Sequence, residues 1–397
     1  MKSATESNSD LMPVGDLGIV ALKSTEALGQ KINDFIVKWR NERDHDLTGT
    51  PQFTDYVKDS YLIPCSNPRF GTGEAKGQIF GSVRGDDLYI MVDVCNYSIT
   101  YTMNGIVNRM SPDDHYQDLK RIISAIGGKA RRITVIMPFL YESRQHKRSM
   151  RESLDCAMAL QELIAMGVDN IITFDAHDPR VQNSIPLHGF ENYNTTYQFI
   201  KGIYKSCIRK GDTFTVSPDS MMVISPDEGG TKRAIYMANV LGVDMGMFYK
   251  RRDYTQIVDG RNPIVAHEFL GANVEGKDVI IIDDMISSGE SVLEVAAHLK
   301  ELKARRVFIC STFGLFTNGL EKFDEAYRKG YFYSLLTTNL VYQTPELLER
   351  EWYTGCDMSK FISLIIDTMN HDGSVSSLLD PVDRINKFLE KNNIIQK

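Results

Sequence analysis

The sequence predicts an α/β chain of two domains, with largely parallel sheets flanked by helices, behind an N-terminal helical extension. Three observations point to it. From residue 87 onward, short β-prone runs alternate with helical stretches. The 397 residues fit two such sheets at roughly 100–200 residues per domain. Polar, acid-bearing segments come directly after several of the apolar runs, where open parallel sheets place their ligands.

Taken in order, residues 1–16 are polar, and Leu28, Ile32, Phe35, Ile36 and Trp39 then fall on one face of a helix. The charged run 40–46 and the turn-rich 47–52 close this segment, so residues 1–52 read as an extension packing on its own protein. Next come a strand at 88–94 and a helix through Leu119, Ile122, Ile123 and Ile126, stopped by Gly127 and Gly128. A strand at 133–137, a helix at 154–166 and a strand at 171–174 follow. A divide near 200–215 sets the first domain at 53–208 and the second at 209–397. The second holds strands at 221–225, 279–282 and 307–312, helices at 231–241 and 292–302, and a tail helix around 382–393.

Composition narrows the class of function. With 42% hydrophobic and 24% charged residues, the chain is neither collagen-like nor largely disordered. Its 45 Lys and Arg against 52 Asp and Glu leave a charge of −7, which argues against nucleic acid or an acidic membrane as main partner. Six scattered cysteines without a C-x-x-C pair give neither a disulfide framework nor a zinc knuckle. The first residues lack the basic start and apolar stretch of a signal peptide, and no apolar run nears the roughly 18–20 residues that cross a bilayer. A cytoplasmic location is expected.

The strongest chemical signal is residues 279–291: a buried strand, Asp283 and Asp284, the small residues Ser287, Ser288 and Gly289, then Glu290 and Ser291 opening a helix. Backbone N–H groups at such a helix start close around a phosphate, while adjacent carboxylates accept hydrogen bonds from a sugar diol. A phosphorylated sugar supplies both. Four further segments carry chemistry only in company. Residues 69–74, from Arg69 and Phe70 to Glu74, read alone as a hairpin. Arg144, Gln145, His146, Lys147 and Arg148 follow a strand and suit polyphosphate, or form a solvated basic face. Asp175 and His177 follow one strand and Asp227 another, as metal ligands or as capping and core residues. Lys250, Arg251 and Arg252 open a polar stretch, as a loop over transferring phosphates or as an exposed charged loop.

Residues 279–291 resemble the sugar-phosphate loop shared by type I phosphoribosyltransferases and ribose-phosphate pyrophosphokinases. From about Phe70 to about Leu379, including 337–339 and 373–379, the chain resembles the pyrophosphokinase family. The resemblance implies two phosphoribosyltransferase-like domains and transfer of the diphosphoryl group of MgATP to O1 of ribose 5-phosphate. By the same resemblance, Phe70, Thr72 and Glu74 meet adenine from a neighbouring subunit, and Arg144 and Gln145 bind ATP. Asp227, Asp283, Asp284, Ser287, Ser288, Gly289 and Ser291 hold ribose 5-phosphate; His177 and Asp227, with Asp175, hold Mg2+; Lys250 and Arg252 are catalytic. The family assembles as dimer-built homo-oligomers, commonly hexamers. Thr72 and His146 stand where the family usually has Asp, and Glu290 is a further departure. Two rivals follow: a non-catalytic regulatory homologue that binds ligand without turnover, and a phosphoribosyltransferase, for which the ATP residues would be idle.

Overall fold

The structure, a computed structural model, describes residues 12–46, 56–252 and 264–395, with backbone alone at 44–46, 250–252 and 264–267. The chain divides into two compact units. The first takes in the described residues up to Asn194 together with Asn339–Tyr342 and Asp357–Asp380; the second takes in Thr195–Thr338, Gln343–Cys356 and the chain from Pro381.

The first unit is built on a five-stranded parallel sheet in the order Leu17–Ala21, Asp87–Met91, Arg132–Ile136, Asn170–Phe174, Gly189–Tyr193. Its register pairs Ile19 with Tyr89, Tyr89 with Thr134 and Val135 with Ile171. Leu88, Ile90, Val135 and Ile172 are wholly buried, as a parallel strand covered on both faces requires. The helix Pro112–Ile126 shows how local sequence fixes an element. Ser111 accepts a hydrogen bond from the Asp114 N–H at 3.2 Å, the Asp114 carboxylate accepts one from the Ser111 N–H at 3.0 Å, and Pro112 opens the first turn. Gly127, at φ 62°, ends it in the left-handed conformation.

The expected N-terminal extension is instead part of this unit. Leu17–Ala21 is the edge strand of the sheet, and the helix Glu26–Asp46 buries Ile32 and Ile36 completely. The apolar run Leu17–Ala21 is only five residues long, too short to declare a strand by its own periodicity.

The second unit carries a seven-stranded sheet in the order Ile264–Leu270, Asp244–Arg252, Met221–Ser225, Asp278–Ile286, Arg306–Gly314, Ser334–Thr338, Tyr353–Cys356. Only its first pair is antiparallel. One face packs Phe199, Ile203, Met237, Ile385 and Leu389; the other packs Val295, Leu299, Phe323 and Trp352. The expected boundary between residues 208 and 209 falls inside the helix Thr196–Arg209, which belongs wholly to the second unit. The expected tail helix forms at Val382–Lys391 and inserts Ile385 and Leu389 into the core. Among the described residues no helix is long and apolar enough to cross a membrane.

Candidate active site

In the second unit, two strands deliver the expected sugar-phosphate residues toward their carboxyl ends, and a third ends in Lys250 and Arg252. Met221–Ser225 runs into a tight turn in which the Ser225 hydroxyl donates to the Asp227 carbonyl at 2.6 Å. The Gly230 N–H donates to the Asp227 carboxylate at 3.2 Å. A Cβ on Gly230 would lie 2.9 Å from the Ser225 hydroxyl, so a larger residue there would have to shift that hydroxyl.

On the neighbouring strand Asp278–Ile286, the Asp283 carboxylate accepts the Asp284 N–H at 2.9 Å, and the Asp284 carboxylate accepts the Met285 N–H at 3.0 Å. These bonds hold two adjacent acids on one strand end. Burial raises the Asp283 pKa well above the usual carboxylate range; the Asp284 and Asp227 charges push the same way, and Arg233, 3.9 Å from Asp283, opposes them. A partly buried cluster of acids of this kind gains by accepting hydrogen bonds from hydroxyl donors.

The chain then turns through Ser287, Ser288 and Gly289 into the helix Glu290–Glu301. Gly289 caps it at φ 83°, and a Cβ there would come within 2.1 Å of the buried Phe323 ring. A side chain there would have to displace that ring. The first-turn N–H groups of the helix, with Ser287, Ser288 and Ser291 alongside, form an anion cradle next to the paired acids. Glu290 lies at the same helix start, but Lys322 draws its carboxylate into an ion pair at 2.5 Å.

Lys250 and Arg252 occupy the end of the strand Asp244–Arg252, opposite His267 and Ile264 in the antiparallel register, with an irregularity between Arg251 and Arg252. Their side chains lie outside the described residues.

In the first unit, the segment Arg69–Glu74 is a tight turn: the Phe70 N–H donates to the Glu74 carbonyl at 2.7 Å and the Gly73 N–H to the Phe70 carbonyl at 2.9 Å. Arg69 is anchored by Asp118 at 2.9 Å and stacks over Tyr101, which leaves Phe70 55% exposed at the tip. The Thr72 hydroxyl donates to the Glu74 carboxylate at 2.9 Å, so Thr72 orients the acid beside it.

After the strand Arg132–Ile136, Arg144 is exposed and the Gln145 amide donates to the Ser153 carbonyl at 2.8 Å. After Asn170–Phe174, Asp175 is buried with φ 41°, a strained backbone for a residue other than glycine, held by its N–H donating to the Tyr193 carbonyl at 2.9 Å. His177 is exposed two residues on. His146 lies with its ring centre 5.4 Å from that of His177, and its Nδ1 is 3.2 Å from the Asp178 carboxylate. Arg180 holds that carboxylate well below its ordinary pKa. Among the described residues, no group of three His, Cys, Asp or Glu side chains gathers closely enough to hold a metal ion. The donor set nevertheless fits a divalent ion that takes its other ligands from a polyphosphate and water, the usual habit of Mg2+.

The expected site residues therefore divide between the units. Phe70, Thr72, Glu74, Arg144, Gln145, Asp175 and His177 belong to the first, and Asp227, Lys250, Arg252, Asp283, Asp284, Ser287, Ser288, Gly289 and Ser291 to the second. Sequence reasoning missed Arg233, whose signal was a cation one turn into the helix after the Asp227 turn. It also missed Asp93, a buried acid just past the strand Asp87–Met91 whose carboxylate accepts the N–H groups of Cys95 at 2.9 Å and Tyr342 at 2.7 Å. A single acid after a strand carries no pattern.

Comparison with known proteins finds two family domains in the chain. Residues 17–167 match the N-terminal domain of ribose phosphate pyrophosphokinase, and residues 191–349 match the phosphoribosyl transferase domain. Ribose-phosphate pyrophosphokinase from Vibrio parahaemolyticus is 26% identical over 338 residues, covering 83% of this chain and 96% of that protein. The Shewanella oneidensis protein of the same name is 27% identical over 336 residues, again covering 83% of this chain and 96% of the relative. Among solved structures, phosphoribosylpyrophosphate synthetase from Mycobacterium smegmatis shares the fold, with a TM-score of 0.68 and 20% identity over 90% of this chain and 100% of that one. The match beginning at residue 17 places the strand Leu17–Ala21 inside the family domain, in accord with its place in the sheet.

Proposed function

The chain belongs to the ribose-phosphate pyrophosphokinase family, and from that premise we propose how its residues divide the work. The reaction transfers the β,γ-diphosphoryl group of ATP to O1 of ribose 5-phosphate, giving AMP and 5-phosphoribosyl 1-diphosphate. The observation that carries the reading is the run from Asp283 to Ser291, where two acids and a helix-start cradle built on Gly289 stand side by side.

The cradle takes the 5-phosphate on the N–H groups and hydroxyls of Ser287, Ser288, Gly289 and Ser291. Asp283 and Asp284, with Asp227 beside them, accept hydrogen bonds from the ribose hydroxyls and fix the sugar so that O1 is the free nucleophile. Its attack needs no covalent intermediate on the protein, so positioning and charge neutralisation do most of the catalysis. Lys250 and Arg252 neutralise the charge that builds on the transferring group. Arg144 and Gln145 bind the triphosphate, and exposed Phe70 stacks on adenine with Glu74 from a neighbouring subunit, which makes the working enzyme a homo-oligomer. Mg2+, held on the ATP side by His177 with Asp175 near it, supplies charge neutralisation of the triphosphate. A cytoplasmic enzyme of nucleotide precursor synthesis fits this chemistry.

Asp283→Asn tests the sugar assignment. It removes a carboxyl acceptor from the paired acids, so kcat/KM for ribose 5-phosphate should fall about 10- to 100-fold while the KM for ATP stays put. An AMP-release assay with each substrate varied in turn reads both constants. A fall confined to ATP would overturn the assignment.

A further inference from the structure

The cluster around His146 carries an inference of its own, which rests on the reading that His177 faces the metal of bound ATP. His146 and Asp178 come from different loops, after the strands Arg132–Ile136 and Asn170–Phe174, yet their side chains meet and are only 11% and 13% exposed. Asp178 is anchored by Arg180 through its carboxylate, at 2.9 Å and 3.0 Å from the guanidinium Nε, and through the Arg180 N–H at 3.0 Å. The fixed charge 3.2 Å from Nδ1 favours the tautomer protonated there, with the lone pair on Nε2. Carboxylate to imidazole Nδ1, with Nε2 directed elsewhere, is how proteins prepare a metal-ligating histidine.

A second imidazole is already in place. The His146 and His177 ring centres are 5.4 Å apart with their planes inclined at 62°. Two rings sharing one ion through metal–nitrogen bonds of about 2.1 Å span a similar separation. We propose that His146 and His177 form a two-nitrogen site for a divalent transition-metal ion, with Asp178 orienting His146 and the triphosphate and water filling the other positions. Mg2+ prefers an all-oxygen shell, whereas imidazole favours the later first-row metals, so the second nitrogen tilts the choice of ion away from Mg2+. Because only two protein side chains ligate, the ion arrives with the nucleotide and leaves room for it.

The probe is Mn2+ added with ATP, without ribose 5-phosphate, to the full-length protein, read by electron spin echo modulation. The wild-type protein should show two imidazole nitrogens coupled to the ion. His146→Asp should show one and should lower the Mn2+ to Mg2+ affinity ratio on the order of tenfold. A single coupled nitrogen in the wild type overturns the proposal while leaving His177 as a ligand. No coupled nitrogen, with Mn2+ and ATP still bound, overturns both the proposal and the placing of the metal at His177. Diphosphoryl transfer is judged separately, by product formation. The wild-type spectrum decides the matter even if the variant folds poorly.

Discussion

Asp93 shows what burial does to a single side chain. It is 3% exposed, and desolvation drives its pKa up from 3.8 to about 7 against the lowering effect of two backbone N–H donors. In the unfolded chain the group titrates near 4. The folded state therefore holds the proton more tightly, so this contribution to stability is fully present below about pH 4 and is lost as the pH rises through 7. Asp93→Asn removes the titration but keeps an oxygen for only one of the Cys95 and Tyr342 N–H groups, which bond different oxygens of the carboxylate. Its melting temperature should vary less than that of wild type between pH 4 and 7, and should lie below it at pH 4. Equal pH profiles in scanning calorimetry would contradict this. Nothing in the sequence marks Asp93 apart from other acids, because its environment is assembled by Ser24 and Tyr342 from distant parts of the chain. Asp283 and Asp284 were legible because strand, acids, small residues and helix start form one contiguous run in the sequence.

At the scale of elements, the long periodic helices and central apolar strands could be read directly. Met221–Ser225 and Thr231–Leu241 fall where their patterns place them, since burial on both faces demands unbroken apolar runs and a helix demands one apolar stripe. The strands Ser334–Thr338 and Tyr353–Cys356 escaped because they are short and rich in small polar residues; Thr337 and Thr338 are buried only because their hydroxyls find partners in Tyr353 and the Thr312 carbonyl. In the proposed reading, function and folding both depend on the Gly289 turn. Gly289→Ala forces a side chain into a positive-φ position against Phe323, which stacks on Trp352. It should cost about 1–3 kcal/mol and lower the melting temperature by about 2–4 °C for each kcal/mol. Ribose 5-phosphate affinity should fall more than ATP affinity. Calorimetry and ligand titration check the two effects, and an unshifted melting temperature would refute the role given to this turn.

For the whole molecule, the chain's order hides its architecture. Asp357–Asp380 belongs to the first unit although it follows most of the second, and Asp367 in that segment is the counter-ion of the N-terminal helix. The Arg43 guanidinium donates to both Asp367 oxygens at 2.7 and 2.9 Å, and Arg40 donates to Asp367 at 3.3 Å and to Asn370 at 2.6 Å, with Arg40 and Asp367 essentially excluded from solvent. No local pattern links residues more than three hundred positions apart, so the sequence alone suggested an N-terminal extension outside the first domain. Asp367→Ala strands buried arginine charge and should destabilise the fold by about 3–5 kcal/mol; denaturant unfolding followed by circular dichroism would expose a smaller loss. The same scale governs activity, since the residues assigned to ATP and to ribose 5-phosphate lie in different units.

The most direct measurement is phosphorus NMR of the purified protein with Mg2+, ATP and ribose 5-phosphate, run beside Lys250→Ala. The account predicts AMP and a sugar-linked diphosphate appearing together, only when all three components are present, with a rate that falls at least about 100-fold in the variant. ATP that binds without yielding either product would contradict it and identify a non-catalytic homologue.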